Sequence, residues 1–262
     1  MRTERLIALK AAHAAGALHK EKLGNLTCID YKSAFNLVTE VDKAAEAMIL
    51  EILKAEFPND NYLAEETGAS AVSDNGRRWL IDPLDGTTNY AHAYPFFSVS
   101  IALEEDGEIT LGVVHNAVSQ ELFWAEKGLG ARLNDRVISV SCNAKLGSSL
   151  LATGFPPDTK NSRFHNMTEF TTITNASHGV RRDGSAALDL CFVACGRLDG
   201  FWEKKLAPWD VAAGSLIVRE AGGRVTNLEN GPLDMNSGHI LATNGLIHKE
   251  MVNIFQECCT SA

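Results

Sequence analysis

One stretch constrains this chain more than any other: Leu80-Ile81-Asp82-Pro83-Leu84-Asp85-Gly86-Thr87-Thr88-Asn89-Tyr90, where an apolar run ends in two carboxylates, a glycine and two hydroxyls. Trp79, Leu80 and Ile81 have strand character, and Pro83 cannot donate to a sheet ladder, so pairing is expected to stop with Asp82 at the strand end. Strand ends are where α/β folds keep chemistry. Asp82 and Asp85 stand three residues apart on a turn, so both carboxylates converge on one locus, with the Leu84 carbonyl pointing the same way. Hard oxygen donors of this kind suit Mg²⁺, which takes near-octahedral oxygen coordination at roughly 2.0–2.1 Å. Gly86 removes a side chain where something must approach the backbone, and the amides of Gly86, Thr87 and Thr88 are placed to cradle an anion at a helix start. Carboxylates for cations beside amides for an anion point to a phosphate ester.

Asp-Pro and Asp-Gly are each ordinary turn chemistry, so either pair alone would say little. An EF-hand loop is excluded because Leu84 occupies the slot two after Asp82, where an oxygen ligand is needed. The aspartyl-phosphate phosphatases carry their two aspartates closer together, which argues against a covalent phospho-aspartate here.

Taken whole, Asp82-Pro83-Leu84-Asp85-Gly86-Thr87-Thr88-Asn89 resembles the signature of the inositol monophosphatase family, Mg²⁺-dependent, lithium-sensitive phosphatases. Two further segments match in the expected order. Glu65-Glu66 follows the short strand Tyr62–Ala64, seventeen residues before Asp82, with Ala64 where the family has glycine; Trp209-Asp210 opens a helix of small residues. On residue type alone Glu65 would be a solvated acid and Asp210 a helix cap. The resemblance implies a bridging role for Asp82 between two metals. Glu65 and the Leu84 carbonyl complete one shell, Asp85 and Asp210 the other, for two or three Mg²⁺ in all.

It further implies that Thr87, with Glu65, orients and deprotonates the attacking water. Substrate contacts fall to Asp85, Gly86, Thr87, Gly184, Ser185, Ala186, Glu203 and Asp210. Arg181 is open between a substrate or partner contact and a solvated surface arginine. Asp42 is open between a helix-capping carboxylate and a holder of metal-bound water. Thr88-Asn89-Tyr90 favours the monophosphatase branch, while Ala207-Pro208 departs from the His-Cys of animal members beside the substrate.

The fold implied is α+β or α/β, a layered αβαβα sandwich with mixed, largely antiparallel sheets. The 262 residues form a single unit, with an N-terminal α+β part over 1–145 and a C-terminal α/β part over 146–262. Pattern alone predicts helices over Arg2–Lys22, from a capping box at Thr39–Asp42 to Pro58, from Arg163 to Thr172, from Gly184 to Cys195, from Pro208 and over Leu246–Cys258. Strands are expected at Phe97–Leu103 and Ile109–Val114 as a hairpin, then at Glu121–Ala125, Val137–Ser141, Leu150–Ala152, Gly200–Glu203, Arg224–Asn227 and His239–Thr243.

A net charge of −9 argues against an electrostatic grip on nucleic acid or an anionic membrane. An anionic substrate then needs cations inside the site. Six cysteines without a Cys-x-x-Cys pair read as reduced thiols, and neither an apolar leader nor a long apolar run is visible. The expectation is a cytoplasmic homodimer hydrolysing inositol 1-phosphate, a small phosphorylated polyol. The alternatives are the same chemistry on fructose 1,6-bisphosphate, histidinol phosphate or a nucleotide phosphate, or a regulatory binding role in a transcription complex.

Overall fold

The computed structural model describes residues 2–26, 28–33, 36–70, 73–156 and 166–260. In chain order its first part contains α1 (Thr3–Lys22), the hairpin β1 (Ile29–Ser33) and β2 (Asn36–Thr39), α2 (Glu40–Glu56), β3 (Asn61–Ala64), β4 (Gly68–Ala69), β5 (Arg77–Asp85) and α3 (Thr87–Ala91). A meander follows: β6 (Ser98–Glu105), β7 (Glu108–Asn116), β8 (Glu121–Glu126), β9 (Ala131–Leu133) and β10 (Arg136–Val137). The rest comprises β11 (Leu150–Thr153), α4 (Met167–Ala176), β12 (Gly179–Arg181), α5 (Ala186–Ala194), β13 (Gly200–Glu203), α6 (Pro208–Glu220), β14 (Arg224–Thr226), β15 (Ile240–Thr243) and α7 (His248–Thr260).

These elements stack as helix, sheet, helix, sheet, helix. An eight-stranded sheet, ordered β10-β9-β8-β7-β6-β5-β3-β4, is antiparallel except where β3 and β5 run parallel. A five-stranded sheet, ordered β12-β11-β13-β15-β14, pairs β11 parallel with both neighbours and the remainder antiparallel. The layers follow from the pleat. Along β5 the side chains of Trp79 and Ile81 join Ala8, Ala11, Ala12 and Ala15 of α1 and Ala45, Ile49 and Leu53 of α2 in one core, while Leu80 between them points into a second core. That second core is filled by α5 and α6 and closed by Ala152, Phe201 and Ile240 from the smaller sheet. Leu151, Trp202 and Leu241, on its opposite face, pack against Ile173 of α4 and Met251 and Phe255 of α7.

Burying both faces explains why β6 reads as a nearly continuous buried run rather than an alternation of buried and exposed residues. Each large side chain so enclosed, Trp79, Trp202 and Phe123 among them, contributes on the order of 1.5–3 kcal/mol. On α2 the buried face is a narrow stripe at helical spacing: Ala45, Ile49 and Leu53 are buried, while the neighbouring Ala44 is exposed.

Three expectations need correction. β5 does not end before Pro83. Its pairing with β6 skips Pro83 and Leu84 and resumes at Asp85↔Ser98, because a bulge accommodates the residue that lacks an N–H. The strand expected over Val137–Ser141 is only Arg136–Val137; Val140 instead donates its N–H to the Ala221 carbonyl at the end of α6. The helix expected from Arg163 starts at Met167, and Arg163 itself lies outside the described residues.

Candidate active site

The parallel pairing of β3 with β5 explains why acids seventeen residues apart in sequence meet. Ala64 stands opposite Ile81, so the residue that follows each, Glu65 and Asp82, emerges at the same end of the two strands, and Glu65 donates its N–H to the Ile81 carbonyl at 3.2 Å. Asp82 is 2% exposed, and its Oδ1 accepts the Leu84 N–H at 2.9 Å. The bulge then carries the chain across to Asp85. Its Oδ2 accepts the Ser185 hydroxyl at 2.5 Å and the Ala187 N–H at 2.8 Å, so the start of α5 holds it.

Gly86 turns the chain into α3 with φ +98, and a Cβ there would lie 3.0 Å from the Phe96 carbonyl oxygen. Neither that conformation nor that space is open to another residue. Asn89 ties the loop down by donating to the carbonyls of Phe96 (2.6 Å) and Asp183 (2.7 Å), and Tyr90 donates its hydroxyl to the His19 carbonyl of α1 at 2.8 Å. The turn that displays Asp82 and Asp85 is therefore fixed from both sides.

Asp210, in the first turn of α6 after Pro208, accepts the Ala207 N–H at 2.7 Å. Asp42 caps α2: its Oδ2 accepts from the Thr39 N–H (2.8 Å) and hydroxyl (2.6 Å). Its Oδ1 lies 2.9 Å from the Thr87 hydroxyl, which is also 3.1 Å from the Leu84 carbonyl. The capping reading of Asp42 is thus seen directly, and a fully buried Asp42 stands behind Thr87 rather than in the cleft.

Glu65, Asp82, Leu84, Asp85, Gly86, Thr87, Gly184, Ala186, Glu203 and Asp210 line one cleft of about 370 Å³. One expected contact, Ser185, differs, and of the two readings of Arg181 the solvated one fits its position. Arg181 is exposed at the end of β12, and it is the next residue, Arg182, that lines the cleft. Ser185 is buried behind the lining with its hydroxyl given to Asp85, so it orients a carboxylate rather than facing the cleft. Asp189, Thr153 and Lys204 also line the cleft and were not singled out from sequence.

The cleft is acidic beyond its own comfort. Burial, and then the charges of Glu65, Asp85 and Asp210, hold the Asp82 carboxyl well above the ordinary range. Burial followed by Asp85 does the same for Asp210. Asp85 is pushed up to about 6 by burial, with the Ser185 and Ala187 bonds opposing. Glu203 rises to about 8, mainly through burial. Carboxylates so crowded take up protons or cations. Among the described residues no three His, Cys, Asp or Glu side chains already form a closed metal cage, since the aspartates turn to local N–H and O–H donors. Their donor set, all hard oxygen on adjoining strand ends, suits a divalent cation such as Mg²⁺.

The profile of the family described as "Inositol monophosphatase family" matches residues 1–260. The chain belongs to that family. An inositol-1-monophosphatase from Synechocystis sp. (strain ATCC 27184 / PCC 6803 / Kazusa) is 52% identical over 246 residues, 94% of this chain and 86% of the relative. A Pasteurella multocida (strain Pm70) protein named Nus factor SuhB is 42% identical over 258 residues, 96% of this chain and 95% of the relative. The solved inositol monophosphatase from Anabaena (Nostoc) sp. PCC 7120 superposes with a TM-score of 0.89 at 47% identity, covering 96% of this chain and 94% of that one. Inositol monophosphatases thus share this chain's layered fold over nearly its full length, and the family places it among phosphatases.

Proposed function

We propose that the chain is a Mg²⁺-dependent phosphomonoesterase that hydrolyses inositol 1-phosphate to inositol and phosphate by direct attack of water. The observation that supports this most is the gathering of Glu65, Asp82, Asp85 and Asp210 around one cleft beside the Gly86–Thr88 turn. Glu65, Asp82, the Leu84 carbonyl, Asp85 and Asp210 would hold two or three Mg²⁺, which when bound supply water activation and stabilisation of the leaving oxygen.

The chain's own groups do the rest. The Thr87 hydroxyl points its hydrogen at Asp42 Oδ1 or the Leu84 carbonyl, which leaves its lone pairs to accept a hydrogen of the attacking water. Glu65, on the neighbouring strand end, takes the water's other proton. The Gly86 and Thr87 amides bind phosphate oxygens at the start of α3. Glu203 and Asp210, with the Ala186 backbone, bind polyol hydroxyls on the far side of the cleft. The same reading expects lithium inhibition, a homodimer and a cytoplasmic location; no helix among the described residues is long and apolar enough to cross a membrane.

Phosphate release with Mg²⁺ from inositol 1-phosphate, fructose 1,6-bisphosphate, histidinol phosphate and nucleotide phosphates tests the substrate assignment, with inositol 1-phosphate expected to show the highest kcat/KM. A single turnover in H₂¹⁸O tests the direct attack: label should appear in phosphate, and a trapped acid-labile phosphoprotein would contradict it. The second reading, a binding protein without catalysis, draws on the factor name of a relative at 42% identity. It predicts no Mg²⁺-dependent phosphate release at all.

A further inference from the structure

Of the carboxylates that line the cleft, the mechanism above leaves one without a task. Asp189, in the first turn of α5, is 1% exposed, lines the cleft, and its Oδ1 has no hydrogen-bond partner among the described residues. Burying a carboxylate without a partner is strongly unfavourable, and native buried polar atoms are nearly always satisfied. The missing partner is then to be sought in what enters the cleft.

Helical spacing sets where that partner must sit. Asp189 is four residues after Ser185, so it lies one turn along the face of α5 whose start holds Asp85. Asp189 therefore extends the cleft one helical turn beyond the candidate metal ligands. Glu203 reaches the same region from the end of β13, its carboxylate lying directly over Gly154: a Cβ at 154 would be 2.1 Å from Glu203 Oε2. Glycine at that position is what lets the Glu203 carboxylate lie there. The charges of Asp183, Glu203 and Asp85 and, in the opposite sense, Arg182 act on Asp189, so it stands where the start of α5 and the end of β13 meet.

We propose that Asp189 is a specificity-determining residue: with Glu203 it hydrogen-bonds ring hydroxyls remote from the phosphate, so the cleft selects cyclic polyol phosphates over phosphates of hydroxyl-free alcohols. A hydroxyl both donates and accepts, so it satisfies Asp189 whether the carboxyl carries a proton or not. A site built around hydroxyl partners rejects analogues that lack them, because its buried polar groups are then left unpaired. The inference rests on the phosphatase reading.

The test compares kcat/KM for inositol 1-phosphate with that for phenyl phosphate in wild type, Asp189→Asn and Asp189→Leu, and records the Tm of each. The ratio of the two kcat/KM values should fall about tenfold or more in Asp189→Leu, mainly through KM for the polyol ester, since one lost hydrogen bond is worth roughly that factor, and much less in Asp189→Asn, whose amide still bonds a hydroxyl. Asp189→Leu should melt at or above wild type, because an uncompensated buried carboxylate is gone. An unchanged ratio in Asp189→Leu overturns the inference. So does a lower Tm, or failure to fold, in both variants, which would make Asp189 a structural residue. Wild-type protein releasing no phosphate from either ester overturns the phosphatase reading, and this inference with it.

Discussion

Replacing Asp85 by Asn removes a ligand charge yet leaves an oxygen that still accepts from Ser185 and the Ala187 N–H. The prediction is a loss of phosphatase activity of at least about 10²-fold with a change in stability near 1 kcal/mol or less, read by steady-state kinetics beside thermal melting. Comparable collapse of folding and activity would make Asp85 a turn residue only. Asp82 and Asp85 were legible as a full string of two acids, a glycine and two hydroxyls after an apolar strand, whereas Glu65, Glu203 and Asp210 were legible only through the family resemblance, since residue type alone makes Glu65 a solvated acid and Asp210 a helix cap. Arg181 was not legible in the same way. On a strand of three residues, facing changes with every residue, and only the structure shows that β12 ends before Arg182 turns to the cleft. Ser185 was placed in the right region but against the wrong partner, since nothing in its neighbours indicates that Asp85, a hundred residues away, takes its hydroxyl. Asp189 did leave a signal, its helical spacing from Ser185 and Ala186, but an acid inside an apolar helix segment does not announce which way it faces.

The cap of α2 joins scaffold to chemistry, because Asp42 accepts from Thr39 with one oxygen and from Thr87 with the other. Thr39→Ala should lower stability by about 1 kcal/mol, or roughly 2–4 °C in Tm for a chain of this size. It should also lower kcat, because Asp42 loses one of its anchors and Thr87 its fixed acceptor. Thr39→Ser should restore both quantities, and a variant with normal kcat would separate the cap from the site. Long elements with clear periodicity were legible: α1, α2, the β6–β7 hairpin and α6 all stand where the pattern put them. The boundary errors have local causes. Proline does not end β5 because its missing N–H falls in a bulge, and β10 stops early because Val140 bonds the end of α6 instead of a strand. The two parallel pairings of β11 join strands far apart in sequence, and no local signal encodes them.

Across the whole molecule, the crowded acids tie stability to pH and to cations. Glu203 has an ordinary value of 4.5 and rises to about 8 in the fold, so the folded state binds the proton more tightly than the unfolded one. Its contribution is fully present below about 4.5 and is lost as pH rises toward about 8. The metal-free protein should therefore melt at lower temperature as pH climbs through that window, and Glu203→Gln should flatten the slope; calorimetry over the range would show either. Mg²⁺ that binds only the folded state should raise Tm in proportion to the logarithm of its concentration, an effect that Asp82→Asn weakens. The measurement that bears most directly on catalysis by this cleft is phosphate release from inositol 1-phosphate as a function of Mg²⁺ concentration, with and without lithium, for wild type and Glu65→Gln. Wild type should be inactive without Mg²⁺, active with it and inhibited by lithium. Glu65→Gln should fold normally, require more Mg²⁺ and turn over at least about 10²-fold more slowly, the usual scale of a lost general base. Wild-type protein that releases no phosphate at any Mg²⁺ concentration, from this or any other phosphate ester in the panel, would contradict it.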